Sequence, residues 1–215
     1  MGARTNITLS RGTVMLTTKE AIEKRRSIRR FRQDPVPDDL LTELLEAARL
    51  APSGCNAQPW RFKIVRESDT KEKLAQAAFD QPFIALAPVV LVCCADIRGY
   101  LEGMVSGTED LGRIGAVEER VVRIIQKASD RMGEMPLEQV GPRIALNVAI
   151  AVEHIVLRAL DFGLGSCWIR LFDEPAIKGI FGWDDTLHVV ALLPLGYPDE
   201  APLPRKRRAV AEILL

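Results

Sequence analysis

Arg25-Arg26-Ser27-Ile28-Arg29-Arg30-Phe31 sets four guanidinium groups around one hydroxyl, and Ser53-Gly54-Cys55-Asn56-Ala57-Gln58-Pro59-Trp60 follows after a single amphipathic segment. Arginine forks and a serine hydroxyl match the oxygens of a phosphate in charge and geometry. Asn and Gln side chains each offer a donor and an acceptor, which suits the polar edge of a heteroaromatic ring. A phosphate grip followed by a ring-edge grip points to a nucleotide-like cofactor. The bland alternative for the first cluster is a solvated basic surface, against which Ile28 and Phe31 argue for partial burial. Turn chemistry alone accounts for Pro52, Ser53, Gly54 and Asn56, but it gives no reason for Gln58-Pro59-Trp60.

Between the two stretches, Leu40, Leu41, Leu44, Leu45 and Ala48 recur on one face, with Glu43 and Glu46 opposite. That spacing predicts a helix from about Asp38 to Ala51, capped by Asp38 or Asp39 and stopped at Pro52. Upstream, Thr18 is a cap for a short helix over 19–24. Residues 1–17 read as a poorly ordered extension without the apolar run of a signal peptide, and 18–215 as a single domain.

Downstream, Arg61 to Val65 reads as a strand. Asp69 and Glu72 have the spacing of a capping box for a helix to about Ala78, and Phe83 to Ala87 is a short apolar turn. Val89 to Ala95 is apolar on both faces, which marks a central strand with Cys93 and Cys94 pointing to opposite sides. From 96 to 140 glycines at 99, 103, 107, 112, 115 and 133 predict the loosest part of the chain, with helical pieces near 97–105 and 117–132. It reads either as a mobile, variable helical cover or as an elaborate surface hairpin.

Pro142 to Phe162 is the most apolar helix and approaches membrane-span length, about 20 residues. Asn147, Glu153, His154 and Arg158 interrupt it, so it reads as a core helix or one covered by a second subunit, ended by Gly163. Gly165 to Ile169 is a short strand, Asp173 caps a helix from Pro175 to Ile180, Leu187 to Leu193 is a strand and Pro194 to Pro198 a turn. Arg205 to Arg208 form a second basic cluster.

The 215 residues are 47% hydrophobic and 27% charged, as in one soluble globular domain. With 29 basic and 29 acidic residues, a chain-wide nucleic-acid or membrane-surface role is not indicated, so the basic clusters are local devices. Four cysteines without a CxxC spacing fit a reducing, cytoplasmic setting. His154 and His188 both read as structural, leaving little for a Ser-His-Asp or Cys-His apparatus. No metal cluster is spaced out, and neither a GxGxxG after a strand nor a GxxxxGK[ST] loop occurs. Grips without an acid, base or nucleophile set leave the reaction to a cofactor.

Arg25 to Phe31 and Ala48 to Phe62, then Ala87-Pro88-Val89-Val90, Gly163 to Ile169 and Leu193 to Pro198, together resemble the FMN-dependent nitroreductase family in its motif order. The resemblance covers roughly Ala21 to Leu215, with 96–140 outside any firm match. It implies an α+β fold with a central, mostly antiparallel sheet flanked by helices, and an intertwined homodimer with FMN at each subunit interface. Arg25, Arg26 and Ser27 would hold the ribityl-phosphate end with Arg205 and Arg207, and Arg29 would bind there or support the loop. Pro52, Ser53, Gly54 and Asn56, from the partner subunit, would line the isoalloxazine. Gln81 would touch the ring edge, and Trp168, Ile169 and Arg170 would lie along the flavin with a backbone amide near its reactive nitrogen.

The implied chemistry is ping-pong hydride transfer from NAD(P)H through FMN to a nitroaromatic or quinone, with no catalytic side chain, metal, nucleic acid or membrane. Arg170 departs from relatives that carry a small or acidic residue there. A reductive dehalogenase on the same fold is the alternative enzyme; its branch places acidic, tyrosine and lysine side chains in the cover, where Tyr100, Glu102 and Lys127 are available. A flavin-binding protein without turnover is the alternative outside the enzymes.

Overall fold

The structure, a computed structural model, describes residues 15–215; residues 1–14, where most of the expected extension falls, lie outside the described residues. Residues 15–17 belong with the domain. Leu16 N–H donates to Asp161 Oδ1 at 2.8 Å, and Thr17, not Thr18, caps α1 (Thr18–Lys24) in a capping box with Glu20.

α2 (Asp38–Arg49) buries Leu41, Leu44 and Ala48. Its N-cap is Pro37, so Asp38 and Asp39 lie in the first turn, where they meet the positive end of the helix dipole. The chain continues through β1 (Trp60–Val65), α3 (Ser68–Ala77), α4 (Pro82–Leu86), β2 (Val89–Asp96), α5 (Ile97–Arg113), α6 (Glu119–Gly133), α7 (Leu137–Ala159), β3 (Gly165–Ser166), α8 (Glu174–Phe181) and β4 (Leu187–Gly196). All strand pairs are antiparallel, in the order β1-β2-β4-β3.

The sheet separates two apolar layers. Val89, Leu91, Cys93 and Ala95 face α2 and α7, while Val90, Val92 and Cys94 face α3, α4 and α8. Opposite Cys93 and Cys94 the register slips by one residue, so that Val190 and Ala191 of β4 both turn to the α2–α7 layer. With its following 3₁₀ turn, α7 is long and apolar enough to cross a membrane. Here it lies against α2, β2 and β4 with Ile144, Val148, Val152 and Ile155 buried, as a core helix.

Several boundaries differ from the expectations. α3 begins at Ser68 after Glu67 with no side-chain cap bond, so Asp69 is a first-turn residue and no capping box forms. Residues 82–86 are helical, with Pro82 in the first turn. α7 starts five residues before Pro142, which is tolerated because it sits on the exposed side of the second turn. Residues 194–196 continue β4, because Val90 and Val89 of β2 pair with Pro194 and Leu195, and β3 pairs on the other side through Ser166 with Leu195 and Gly165 with Gly196. The expected strand to Ile169 stops at Ser166, after which the chain stays tied to β4 by Cys167 N–H to Pro194 O and a bridge from Ile169 to Leu192. Residues 97–113 are one continuous helix rather than a loose stretch.

His154 Nδ1 lies 3.1 Å from Ala47 O, between α7 and α2. His188 Nδ1 lies 3.0 Å from Glu174 Oε1, which also accepts Val189 N–H at 2.9 Å. Lys178 Nζ is 3.2 Å from the same carboxylate. Burial pushes the Glu174 carboxyl up, but the hydrogen bonds to His188 and Val189 N–H, with the charges of His188 and Lys178, outweigh it and bring it to about 2. Its folded-state value is thus below the ordinary 4.5, so its stabilisation is present above that pH and is lost as pH falls toward 2. Glu174→Gln is expected to lower the melting temperature at pH 7 and to flatten its fall between pH 4.5 and 2. Parallel acid limbs for the two proteins would contradict this.

Candidate functional site

Ser27, leaving α1, bridges to Ser166 of β3, and Ile28 N–H donates to Ser166 O at 2.9 Å. Ile28 and Phe31 are buried, which turns the arginines between and before them away from the core. The result is a cleft of about 610 Å³ lined by Arg25, Arg26, Ser27 and Arg29 on one side and Pro202, Leu203, Pro204, Arg205 and Arg207 on the other. Two basic clusters far apart in sequence thus meet around one hydroxyl, and among the described residues no carboxylate lines the cleft. Arg26 Nη1 donates to Glu23 O and Arg25 O, at 2.7 and 2.8 Å, yet its buried Nε has no partner. A buried donor on a permanent cation is costly to leave unmade, about 1–3 kcal/mol or more. The fit to a phosphate rests on the lining itself, in which the guanidinium groups of Arg25, Arg26, Arg29, Arg205 and Arg207 and the Ser27 hydroxyl supply only cationic or neutral donors.

The Arg29 guanidinium lies 5.8 Å from the Phe83 ring centre, so part of its role is to brace the loop. Cys167 lies beside Ser27, behind the cleft's own lining. Burial pushes its thiol up, against the pull of Arg29, the Ser27 hydroxyl and Arg25.

The loop after α2 is strained. Cys55, Asn56 and Gln58 have φ of 53°, 54° and 49°, a region that costs a side-chain-bearing residue on the order of 1 kcal/mol or more. Its neighbours over-determine it. Gly54 N–H donates to Asn147 Oδ1 at 2.9 Å, and Gln58 N–H to Ser53 Oγ at 3.0 Å. Asn147 is buried in α7 and is itself held by Ile144 O at 3.0 Å. On the other side α5 presses its glycines onto the loop backbone. A Cβ on Gly107 would stand 1.7 Å from Cys55 O, and one on Gly103 2.7 Å from Ala57 O. These glycines provide close approach, not looseness. Pro52, Gly54 and Asn56 are exposed, Ser53 is half-buried, and none of the four lines the arginine cleft.

Of the segment expected along a flavin, Trp168 is half-buried, with Nε1 donating to Glu153 Oε2 at 3.1 Å. Ile169 turns its side chain into the core and bonds Leu192 through both N–H and C=O, each at 3.0 Å. Its amide is therefore spent on the sheet, which leaves Trp168 and Arg170 to offer one. Arg170 is exposed. Gln81 Nε2 donates to Ala78 O at 2.9 Å and Leu171 O at 3.4 Å, which uses both amide hydrogens and leaves its oxygen free. Among the described residues no group of three or more His, Cys, Asp or Glu is placed to hold a metal ion.

Residues 22–197 match the Nitroreductase family. The chain belongs to that family. A Thermus thermophilus protein named NADH dehydrogenase is 38% identical over 94% of this chain and 96% of its own length. A nitroreductase-like protein of Streptococcus mutans superposes with a TM-score of 0.76 at 27% identity, covering 92% of this chain and 96% of that one. A protein of Exiguobacterium sibiricum solved in complex with FMN shares the fold, with a TM-score of 0.76 at 24% identity over 94% and 98% of the two chains.

For this nitroreductase-family chain the sequence reading missed Asn147, Gly103 and Gly107 as supports of the strained loop. Asn147 was visible only as a polar break in the most apolar helix. The two glycines, four apart on one helix face, carry no mark that separates tight packing from looseness. Glu200, whose carboxylate bonds Arg29 and Arg30 N–H, was not singled out at all.

Proposed function

We propose that this chain is an FMN-dependent NAD(P)H oxidoreductase that works as a cytoplasmic homodimer and reduces electron-poor acceptors such as nitroaromatics and quinones. The observation that carries this reading is the cleft in which Arg25, Arg26, Ser27, Arg29, Arg205 and Arg207 converge, with no carboxylate among its described lining residues. These residues hold the phosphate end. Trp168 and Arg170 present backbone amides toward the ring, and the Gln81 oxygen accepts at its edge. Pro52, Ser53, Gly54 and Asn56 of the partner subunit line the ring face. Two features support a partner in that role. The strained loop lies outside its own chain's cleft, and the tail exposes Leu203, Val210, Ile213 and Leu214, an apolar arm not covered by the described residues. α5 and α6 form the variable cover over 96–140, and the glycine contacts make α5 move with the loop.

FMN held by these residues would supply the redox chemistry, hydride acceptance from NAD(P)H and ping-pong reduction of the second substrate. The protein's part is to hold, orient and exclude water. Purified protein is expected to be yellow, to bleach with NAD(P)H under anaerobic conditions, to regain colour with a nitroaromatic or quinone, and to elute at twice the 23.9 kDa chain mass. A colourless monomer that stays apo after incubation with FMN would end the proposal. Bleaching without turnover would leave a flavin-binding protein, and preferential turnover of halophenols a reductive dehalogenase.

A further inference from the structure

The two walls of the arginine cleft are joined by a short antiparallel clasp. Arg32 N–H donates to Tyr197 O and Asp199 N–H to Arg30 O, each at 2.9 Å, around a bridge between Phe31 and Pro198. Glu200 closes it. Its Oε1 accepts Arg29 N–H at 2.5 Å and Arg30 N–H at 3.0 Å, and its Oε2 lies 3.4 Å from Arg30 Nε. The Glu200 side chain is only 17% exposed although that of Arg30 is 74% exposed, so the backbone, not the surface ion pair, holds it. Those N–H bonds, Arg29 first, also keep its carboxyl below the usual range. Two residues beyond Glu200 the chain becomes one wall of the cleft, at Pro202. Arg29, which Glu200 grips, belongs to the other.

We infer that Glu200 is the positioning residue that sets the two arginine walls at phosphate-binding separation, so that it strengthens binding of an anion although it is itself an anion. The inference rests on the FMN reading above. Charge alone predicts the opposite sign, because deleting a carboxylate near a dianion's cleft should tighten binding. A carboxylate whose oxygen is already shared by two N–H groups and faced by a guanidinium projects a diminished field, which solvent screens further. Loss of two charge-assisted bonds, by contrast, frees the backbone that carries Arg29. Geometry wins.

The test is flavin titration by fluorescence quenching on wild type, Glu200→Ala and Glu200→Gln, with FMN and with riboflavin, which lacks the phosphate. Glu200→Ala is expected to weaken FMN about tenfold and riboflavin less than twofold; Glu200→Gln, which keeps an acceptor oxygen without the charge, should fall between, near threefold. If Glu200→Ala does not fold, selective weakening of FMN in Glu200→Gln carries the result. Unchanged or tighter FMN binding in the folded variants overturns the inference, and so does an equal loss for both flavins, which marks a merely structural residue. A wild type that binds neither flavin overturns the FMN reading itself, and this inference with it.

Discussion

Gly107→Ala is expected to lower stability by about 3 kcal/mol or more and to release the 53–58 loop. The added Cβ would stand 1.7 Å from Cys55 O and 3.0 Å from Cys55 C, and both are backbone atoms. No rotamer change relieves such a contact, so either α5 or the loop must shift. The opposing effect is helix propensity, which favours Ala over Gly by about 1 kcal/mol in a helix interior. It is too small to win. Gly133→Ala at the end of α6 is the control: a Cβ there meets nothing within 4 Å, so propensity alone acts and stability should rise slightly. Urea denaturation of the three proteins decides between them. A Gly107→Ala midpoint equal to wild type would show that α5 does not press on the loop.

The double variant Arg25→Ala/Arg207→Ala is expected to emerge from gel filtration without flavin under conditions where wild type retains it. Arg25 and Arg207 stand on opposite walls of the cleft. Each charge-assisted bond lost there costs about 1.5–3 kcal/mol, or roughly ten- to hundredfold in affinity. The two arginines share one phosphate as partner, so their losses couple, but removing both leaves the site short of two of its five guanidinium groups. Both residues are accessible enough that folding should survive, so a preserved melting temperature with lost flavin absorbance is the signature. Equal flavin occupancy in wild type and variant would remove the cleft from the phosphate-binding role.

The fold was legible where a periodic pattern met no competition. Val89 to Ala95, apolar at every position, is the central strand, and Cys93 and Cys94 divide between the two layers because successive strand residues face opposite ways. Leu41, Leu44 and Ala48 recur at helical spacing and are buried in α2. Legibility failed at boundaries that depend on a distant partner. Pro194 looks like a turn residue, yet it lies in β4 because Val90 of β2, about a hundred positions earlier in the chain, stands opposite it. Ile169 looked available to a ligand, but Leu192 takes both its backbone groups.

What the sequence determined by itself was the set of chemical grips: arginines with a serine, a Gly-Asn loop on the end of an amphipathic helix, and a basic tail. These are local in composition and spacing, so no coordinates are needed to see that they suit an anionic, ring-bearing ligand. Only the tertiary structure decided which grips share a cleft. It joins Arg25 to Arg29 with Arg205 and Arg207 through the Glu200 clasp, and it holds the 53–58 loop apart, against Asn147 and the glycines of α5. Such pairings arise where segments far apart in sequence press together, and their energy resides in contacts that neither segment makes alone.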